Sequence, residues 1–259
     1  MLPIEEAATR LRDAYGGRTI APLRDLLDPV DSDLAYATQR INTRFWESQG
    51  RRIVGRKIGL TSKVVQQQLG VDRPDFGALF QDMQIADGGI LEPARVIQPK
   101  VEAEVALILA RDLDNADATA NDVLSAAESA VAAIEIVDSR IADWRITFAD
   151  TVADNGSSAF FVLGQQNKPL RGLDLYTCGM ALEVNGAIAS LGAGAACLGH
   201  PLNAAAWLAR TLARSEEPLK AGDIVLTGAL GPMVPLLRGT HVKATIGGLG
   251  SVNFHFAGS

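Results

Sequence analysis

Four ionisable side chains in this 259-residue sequence stand inside apolar runs, where folding would bury them. Glu102 and Glu104 lie in PKVEAEVALIL, Glu135 in VAAIEIVDSRIADW, and Lys57 between two glycines in GRKIGLTS. The β-branched residues from Val101 onward read as a strand, so Glu102 and Glu104, two apart, share one face. Two carboxylates that close repel, and burying them unpaired costs several kcal/mol or forces one to take up a proton. A positive partner is required. Three glutamates in apolar strands would suit a hard divalent cation; pairing with arginine or lysine would satisfy them as well, and the spacing leaves both open. A desolvated Lys57 could move a proton or neutralise a substrate carboxylate. Its glycines form no phosphate loop, because neither GxxxxGK[ST] nor GxGxxG occurs there.

Three further stretches could bring polar groups to such a site. In GVDRPDFGALF, read as a loop, Asp75 precedes an aromatic and a glycine. In DTVADNGSSAFFVLG, Asp154, Asn155, Ser157 and Ser158 stand just before an apolar strand. LTGALGPM, from Leu226 to Met233, reads as a glycine-bracketed loop after the strand IVL, whose backbone could approach a ligand.

The elements that must position these groups follow from periodicity. Residues 4 to 15 and 31 to 48 are helical, with Asp31 or Ser32 as N-cap, and residues 20 to 29 connect them. After Gly50 the texture changes to short β-rich runs punctuated by glycine. Two helices interrupt these, one around 118 to 133 and one from Pro201. This predicts an α+β chain with an N-terminal helical subdomain (1–50) docked on a β-rich catalytic domain (51–259). Cys178 and Cys197 fit no metal or disulfide spacing and are expected in the core; His200, before Pro201, is expected to cap a helix.

Composition narrows the function classes. Lys and Arg number 24 against 30 Asp and Glu, a formal charge of −6, and no basic stripe with interleaved aromatics appears, so nucleic acid is not an expected partner. No apolar run approaches the roughly 18 to 20 residues of a membrane span, and a cytoplasmic location is expected.

Taken in order, GRKIGLTS, QQQLGVDRPDFGALF, PKVEAEVALIL, EIVDSRIADW, DTVADNGSS, CLGHPLNAAAWLA and TGALGPM resemble the 2-oxopent-4-enoate (2-hydroxypenta-2,4-dienoate) hydratases. These belong to the fumarylacetoacetate hydrolase superfamily and serve meta-cleavage degradation of aromatic compounds. The resemblance covers nearly the whole chain. It implies a mixed β-sandwich roll, a homo-oligomer, and Mg2+ or Mn2+ held by Glu102, Glu104 and Glu135. It further implies Lys57, Asp75 and Ser158 as catalytic groups, with Phe76, Leu79, Thr227 and Gly228 against the substrate. In DNGSS, Gly156 stands where these hydratases usually carry alanine. The implied substrate is a 2-hydroxydienoic acid or its 2-oxo tautomer, which gains water at C4.

A 4-oxalocrotonate decarboxylase is the nearest rival, sharing the glutamates and GAGAACLGHPL, although RPDFG and TGALGPM resemble the hydratase branch more closely. A hydrolase of acylpyruvates finds little support in the three histidines, His200, His241 and His255. From another class, the chain could be a non-catalytic partner of such a decarboxylase, and association with one is a possible partnership for the hydratase itself.

Overall fold

The computed structural model describes residues 2–68 and 70–258. Two helices come first, α1 (Pro3–Ala14) and α2 (Ser32–Ser48). The Asp31 carboxylate caps α2 by accepting from the backbone N–H groups of Asp33 and Leu34 at 2.9 and 3.0 Å. The apolar faces of the pair do not close on each other alone. Ala7, Leu11, Leu23, Leu27 and Ala35 share a core with Ile141, Phe148, Ala149, Val152 and Ala153, far along the chain.

Strand β1 (Ile53–Gly59), helix α3 (Lys63–Gln68), β2 (Asp75–Phe80), β3 (Gln84–Ile85), β4 (Ile90–Leu91) and β5 (Lys100–Leu109) follow. Helix α4 (Ala120–Ala126) runs straight into β6 (Ala127–Val137). Then come α5 (Phe148–Ala153), β7 (Ser158–Leu163), β8 (Gly179–Val184), β9 (Ala187–Ala193) and α6 (Pro201–Arg214). Strands β10 (Ile224–Ala229), β11 (Val234–Pro235), β12 (Thr240–Ile246) and β13 (Gly250–Phe256) complete the fold.

The strands form two sheets. The larger has the order β2, β1, β10, β5, β6, β7, β3, with β11 beside β5; the smaller has the order β4, β13, β12, β8, β9. Strands β12 and β13 pack on β6, and α6 packs on β10 and α4. The main core lies between these layers, filled by residues such as Phe161, Ile134, Leu107 and Phe254, all fully buried. This is the mixed α+β architecture that the motif order implies. Among the described residues, no helix is long and apolar enough to cross a membrane.

The helix expected over 118 to 133 ends early. A reciprocal Thr119–Asp122 capping box starts α4, but from Ala127 the chain is strand and pairs with β5 along its length, Ala127 opposite Leu109 and Val137 opposite Lys100. From Ser129 to Val137, β6 is buried on both faces. The small side chains of Ala130, Ala132 and Ala133 suit this crowded centre, so packing overrides the helical preference of alanine. Two expected loops are also strand: DFGALF forms β2, and Thr227 and Gly228 lie within β10. Cys178 and Cys197 are buried free thiols, and His200 caps α6, its Nδ1 accepting from Leu202 N–H at 3.0 Å.

Candidate active site

Strand register assembles the site. Glu102 stands directly opposite Glu135 across the β5–β6 pair, and Glu104 is two residues along the same face of β5. One carboxylate oxygen from each lies within 4.8 Å of the others. Lys57 joins from β1: it registers with Leu226 of β10, which registers with Ala106 of β5, so its side chain shares the glutamate face. Its Nζ stands 3.3 Å from Glu135 Oε1 and donates to the Gly156 carbonyl at 2.9 Å. Asp75 meets the same group from β2, where it pairs with Gly59.

Several of these polar atoms are buried without hydrogen-bond partners. They are Asp75 Oδ1, Glu104 Oε1, both carboxylate oxygens of Glu135, and the Ser158 hydroxyl. Glu104 Oε2 accepts from the Gly228 N–H at 2.7 Å. Orphaned buried carboxylate oxygens are costly, and their convergence is the expected signature of a site for a hard cation. The donor set, all oxygen and all carboxylate, fits a divalent ion of the Mg2+ or Mn2+ type.

The electrostatics agree. Burial, followed by the neighbouring Glu135 charge, pushes the Glu102 carboxyl up to about 7. Burial together with Glu135 and Glu102 holds Glu104 well above the ordinary carboxylate range. Burial raises Glu135 and Asp75 as well, although Lys57 pulls both the other way. For Lys57, burial alone would depress the ammonium; Glu135, Asp75, Glu102 and Glu104 outweigh it and hold it charged. One lysine thus faces four acids, a deficit that a divalent cation would largely offset.

A pH dependence follows. The folded-state pKa of Glu102 lies above the unfolded value near 4.5, so its contribution to stability is fully present below that value and is lost as pH rises towards about 7. Cation binding needs the ionised form and strengthens over the same window. The melting temperature of cation-free protein is expected to fall between about pH 5 and pH 8, and the increment on adding Mg2+ to grow. A Mg2+ increment equal at both pH values would contradict this arrangement.

The loop before β7 supplies the remaining groups. Asn155, Gly156 and Ser157 all adopt left-handed φ angles, 58°, 61° and 51°. Two non-glycine residues in that region are strained and must be held. Arg140 holds them: its Nε donates to Asp154 Oδ1 at 2.6 Å, and its Nη2 donates to the carbonyls of Asp154 and Ser158 at 2.9 and 3.3 Å. The Asn155 side chain accepts from Ala78 N–H and donates to the Ala78 carbonyl, tying the loop to β2. A Cβ at position 156 would stand 3.1 Å from Lys57 Cδ, so the glycine there lets the lysine lie close.

Gly59 has a similar use, because its missing Cβ would fall 2.2 Å from Asp75 Oδ1. Gly59→Ala is expected to swing the Asp75 carboxylate away while leaving the fold intact. Turnover should fall by about 100-fold or more, in the range of lost proton-transfer catalysis, with the melting temperature nearly unchanged. Steady-state kinetics beside a thermal melt would check it.

Of the residues singled out in the sequence, the fold brings together Lys57, Asp75, Glu102, Glu104, Glu135 and Ser158. Gly228 reaches the cluster through its N–H. Three expected substrate contacts stand elsewhere. Phe76 alternates to the opposite face of β2 from Asp75, where it stacks on Tyr36 at 4.5 Å and meets Trp207 at 6.5 Å. Leu79 is fully buried in the core, and Thr227 spends its hydroxyl on the Val105 carbonyl at 2.9 Å. The sequence carries no sign of the Arg140–Asp154 clamp or of Val64 and Val65 at the cavity beside Glu102, whereas Pro232 and Met233 there belong to the run expected to approach a ligand. That cavity, about 380 Å3, is lined by Leu60, Thr61, Val64, Val65, Pro232 and Met233 among others.

A mixed sheet carrying a carboxylate triad, two of its members fully buried, beside a buried lysine defines an enzyme-like site, and residues 53–257 match the model of the fumarylacetoacetate (FAA) hydrolase C-terminal family. The chain belongs to the fumarylacetoacetate hydrolase family. It is 57% identical over 258 residues to 2-keto-4-pentenoate hydratase 1 of Dechloromonas aromatica (strain RCB), covering 99% of this chain and 98% of that one. It is 58% identical over 254 residues to 2-keto-4-pentenoate hydratase of Burkholderia vietnamiensis, covering 98% and 97%. Among solved structures, the 4-oxalocrotonate decarboxylase from Pseudomonas putida G7, complexed with magnesium and adipate, superposes with a TM-score of 0.94. Its identity is 34%, with 98% of this chain and 97% of that chain covered.

Proposed function

We propose that this chain is a cation-dependent hydro-lyase that adds water to 2-hydroxypenta-2,4-dienoate or a substituted analogue, giving a 4-hydroxy-2-oxoalkanoate in meta-cleavage degradation of aromatic compounds. The observation that carries this reading is the convergence of Glu102, Glu104 and Glu135, with unpartnered oxygens, beside Lys57 and Asp75 in a chain so similar to named hydratases. Those three glutamates would hold the ion, and Mg2+ or Mn2+ is the proposed one. When bound, it supplies a Lewis acid that stabilises negative charge at the C2 oxygen.

The chain's own groups then handle protons. The reaction delivers one proton to C5 and one to C3, made up by the proton lost from the C2 hydroxyl and one from water, whose remaining hydroxyl adds at C4. Asp75, raised by burial, can hold a proton at Oδ1 and release it, with the charged Lys57 beside it favouring release. Lys57 donates to Gly156 and stands 3.3 Å from Glu135, leaving one of its three N–H donors for substrate or water. The buried Ser158 hydroxyl, set beside Glu135, can orient either. We also propose a homo-oligomer, supported by the exposed apolar side chains of Ile188 and Leu191 on the edge strand β9.

The test is to incubate the protein with 2-hydroxypenta-2,4-dienoate and Mg2+ and to follow loss of dienoate absorbance and formation of 4-hydroxy-2-oxopentanoate. EDTA should stop turnover, and Mg2+ or Mn2+ should restore it. Release of CO2 from 2-oxohex-3-enedioate without hydration of the monoacid would overturn the proposal, as would full activity without a divalent ion.

A further inference from the structure

The cavity at Glu102 carries an inference about which acids the site accepts, resting on the functional reading above. Its walls come from segments remote in sequence: Leu60 after β1, Val64 and Val65 on α3, Ala196 before α6, and Pro232 and Met233 after β10. Two of these side chains are unusually exposed for their type, Val64 at 62% and Met233 at 39% of full accessibility. They stand at the cavity rather than being scattered over the surface. Glu102 is the charged side chain among the described residues that line it, and the remaining polar ones, Thr61, Ser62 and Gln68, are neutral. No lysine, arginine or histidine among those described residues reaches in.

A ligand whose 2-oxo acid end lies at the carboxylate cluster can run its far end into this cavity, because Glu102, the one glutamate of the three that is only partly buried, lines both. Apolar walls reward a tail in proportion to the hydrocarbon they remove from water. A second carboxylate there would lose hydration, find no cation and face Glu102. We propose that this cavity is the tail site, that Val64, Val65 and Met233 determine specificity, and that the substrates are 2-hydroxydienoates carrying hydrogen or an uncharged alkyl group at C5, not dienedioates.

Binding of saturated 2-oxo acids, which cannot be hydrated, tests this independently of turnover. With Mg2+ present, calorimetric titration with 2-oxopentanoate, 2-oxohexanoate and 2-oxoheptanoate is expected to show affinity rising about fourfold per added methylene. The diacid 2-oxoadipate, matched in length to 2-oxohexanoate, is expected to bind at least about tenfold more weakly. Met233→Arg and, separately, Val64→Arg place a cation at exposed positions and are expected to cut that discrimination at least about threefold, chiefly by improving 2-oxoadipate. A flat alkyl series, equal or tighter binding of the diacid, no binding by any of the four, or an unchanged ratio in both folded variants would each overturn the proposal. Failure to hydrate the dienoate, with the binding order intact, would sink only the hydratase reading. Hydration of the monoacid with the order reversed would sink only this one.

Discussion

Glu104→Gln is expected to abolish turnover and at the same time to make the cation-free protein more stable. Glu104 is fully buried, one oxygen accepts from Gly228 N–H, and the other has no partner. Its carboxyl sits well above the ordinary range because burial, Glu135 and Glu102 all oppose the charge. Glutamine keeps the shape and the acceptor while removing that charge. In EDTA near pH 8 the variant should melt higher than the parent, by about 2–4 °C for each kcal/mol of relieved repulsion. Added Mg2+ should raise the parent's melting temperature strongly and the variant's little, since affinity for the ion and apparent stability are linked. Loss of a Lewis acid is worth several kcal/mol in the transition state, so kcat should fall about 1,000-fold or more. A variant less stable than the parent in EDTA would mean that Glu104 is satisfied without an ion.

The second large effect concerns Arg140. This side chain and Asp154 are both almost completely buried and paired at 2.6 Å. Arg140→Met should destabilise the protein by about 3–5 kcal/mol, the cost of leaving one buried charge alone. Asp154 is already raised to about 6 by burial despite the arginine; without it the carboxyl should rise further. A raised carboxyl stabilises the folded state at low pH and loses that contribution as pH rises, so the deficit should be smaller at about pH 5 than at about pH 8. The double change Arg140→Met, Asp154→Leu should recover much of the stability, because a well-packed apolar pair often matches a buried ion pair. It should not recover activity, since the strained turn at 155–157 loses the guanidinium that holds the carbonyls of Asp154 and Ser158 on either side of it. Urea titration with kinetics on the same samples would separate the two effects; recovery of both together would remove the positioning role of Arg140.

Much of the site was legible, for reasons that differ by residue. Glu102 and Glu104 share a face by strand alternation, a rule that needs nothing beyond their own segment. That Glu135 stands opposite Glu102 depends on register between strands separated by α4, and only the order of motifs hinted at it. Lys57 was visible as a charge among glycines, but its alignment through β10 required the sheet order. Phe76 was misplaced because DFGALF was read as a loop; as a strand, alternation alone separates it from Asp75. The run after Ala127 was misread because alanine favours helix where nothing else intervenes, and here β5 and β7 intervene. Arg140 and Asp154 lie within two of the quoted motifs and carry no local mark of being partners.

The shared core between the first two helices and residues 141–153 sets a timetable for synthesis. Ala7, Leu11, Leu23 and Leu27 leave the ribosome long before Phe148 and Val152, with which they pack. At about 5–20 residues per second, the apolar faces of α1 and α2 wait roughly 5–20 seconds for their cover. The opening of the chain is therefore the stretch most in need of shelter while it is made, and it becomes resistant to proteolysis only after the segment that builds the active-site loop has emerged. Nascent chains arrested near residue 110 should be cut within the first fifty residues, whereas those arrested late enough to release α5 and β7 should resist.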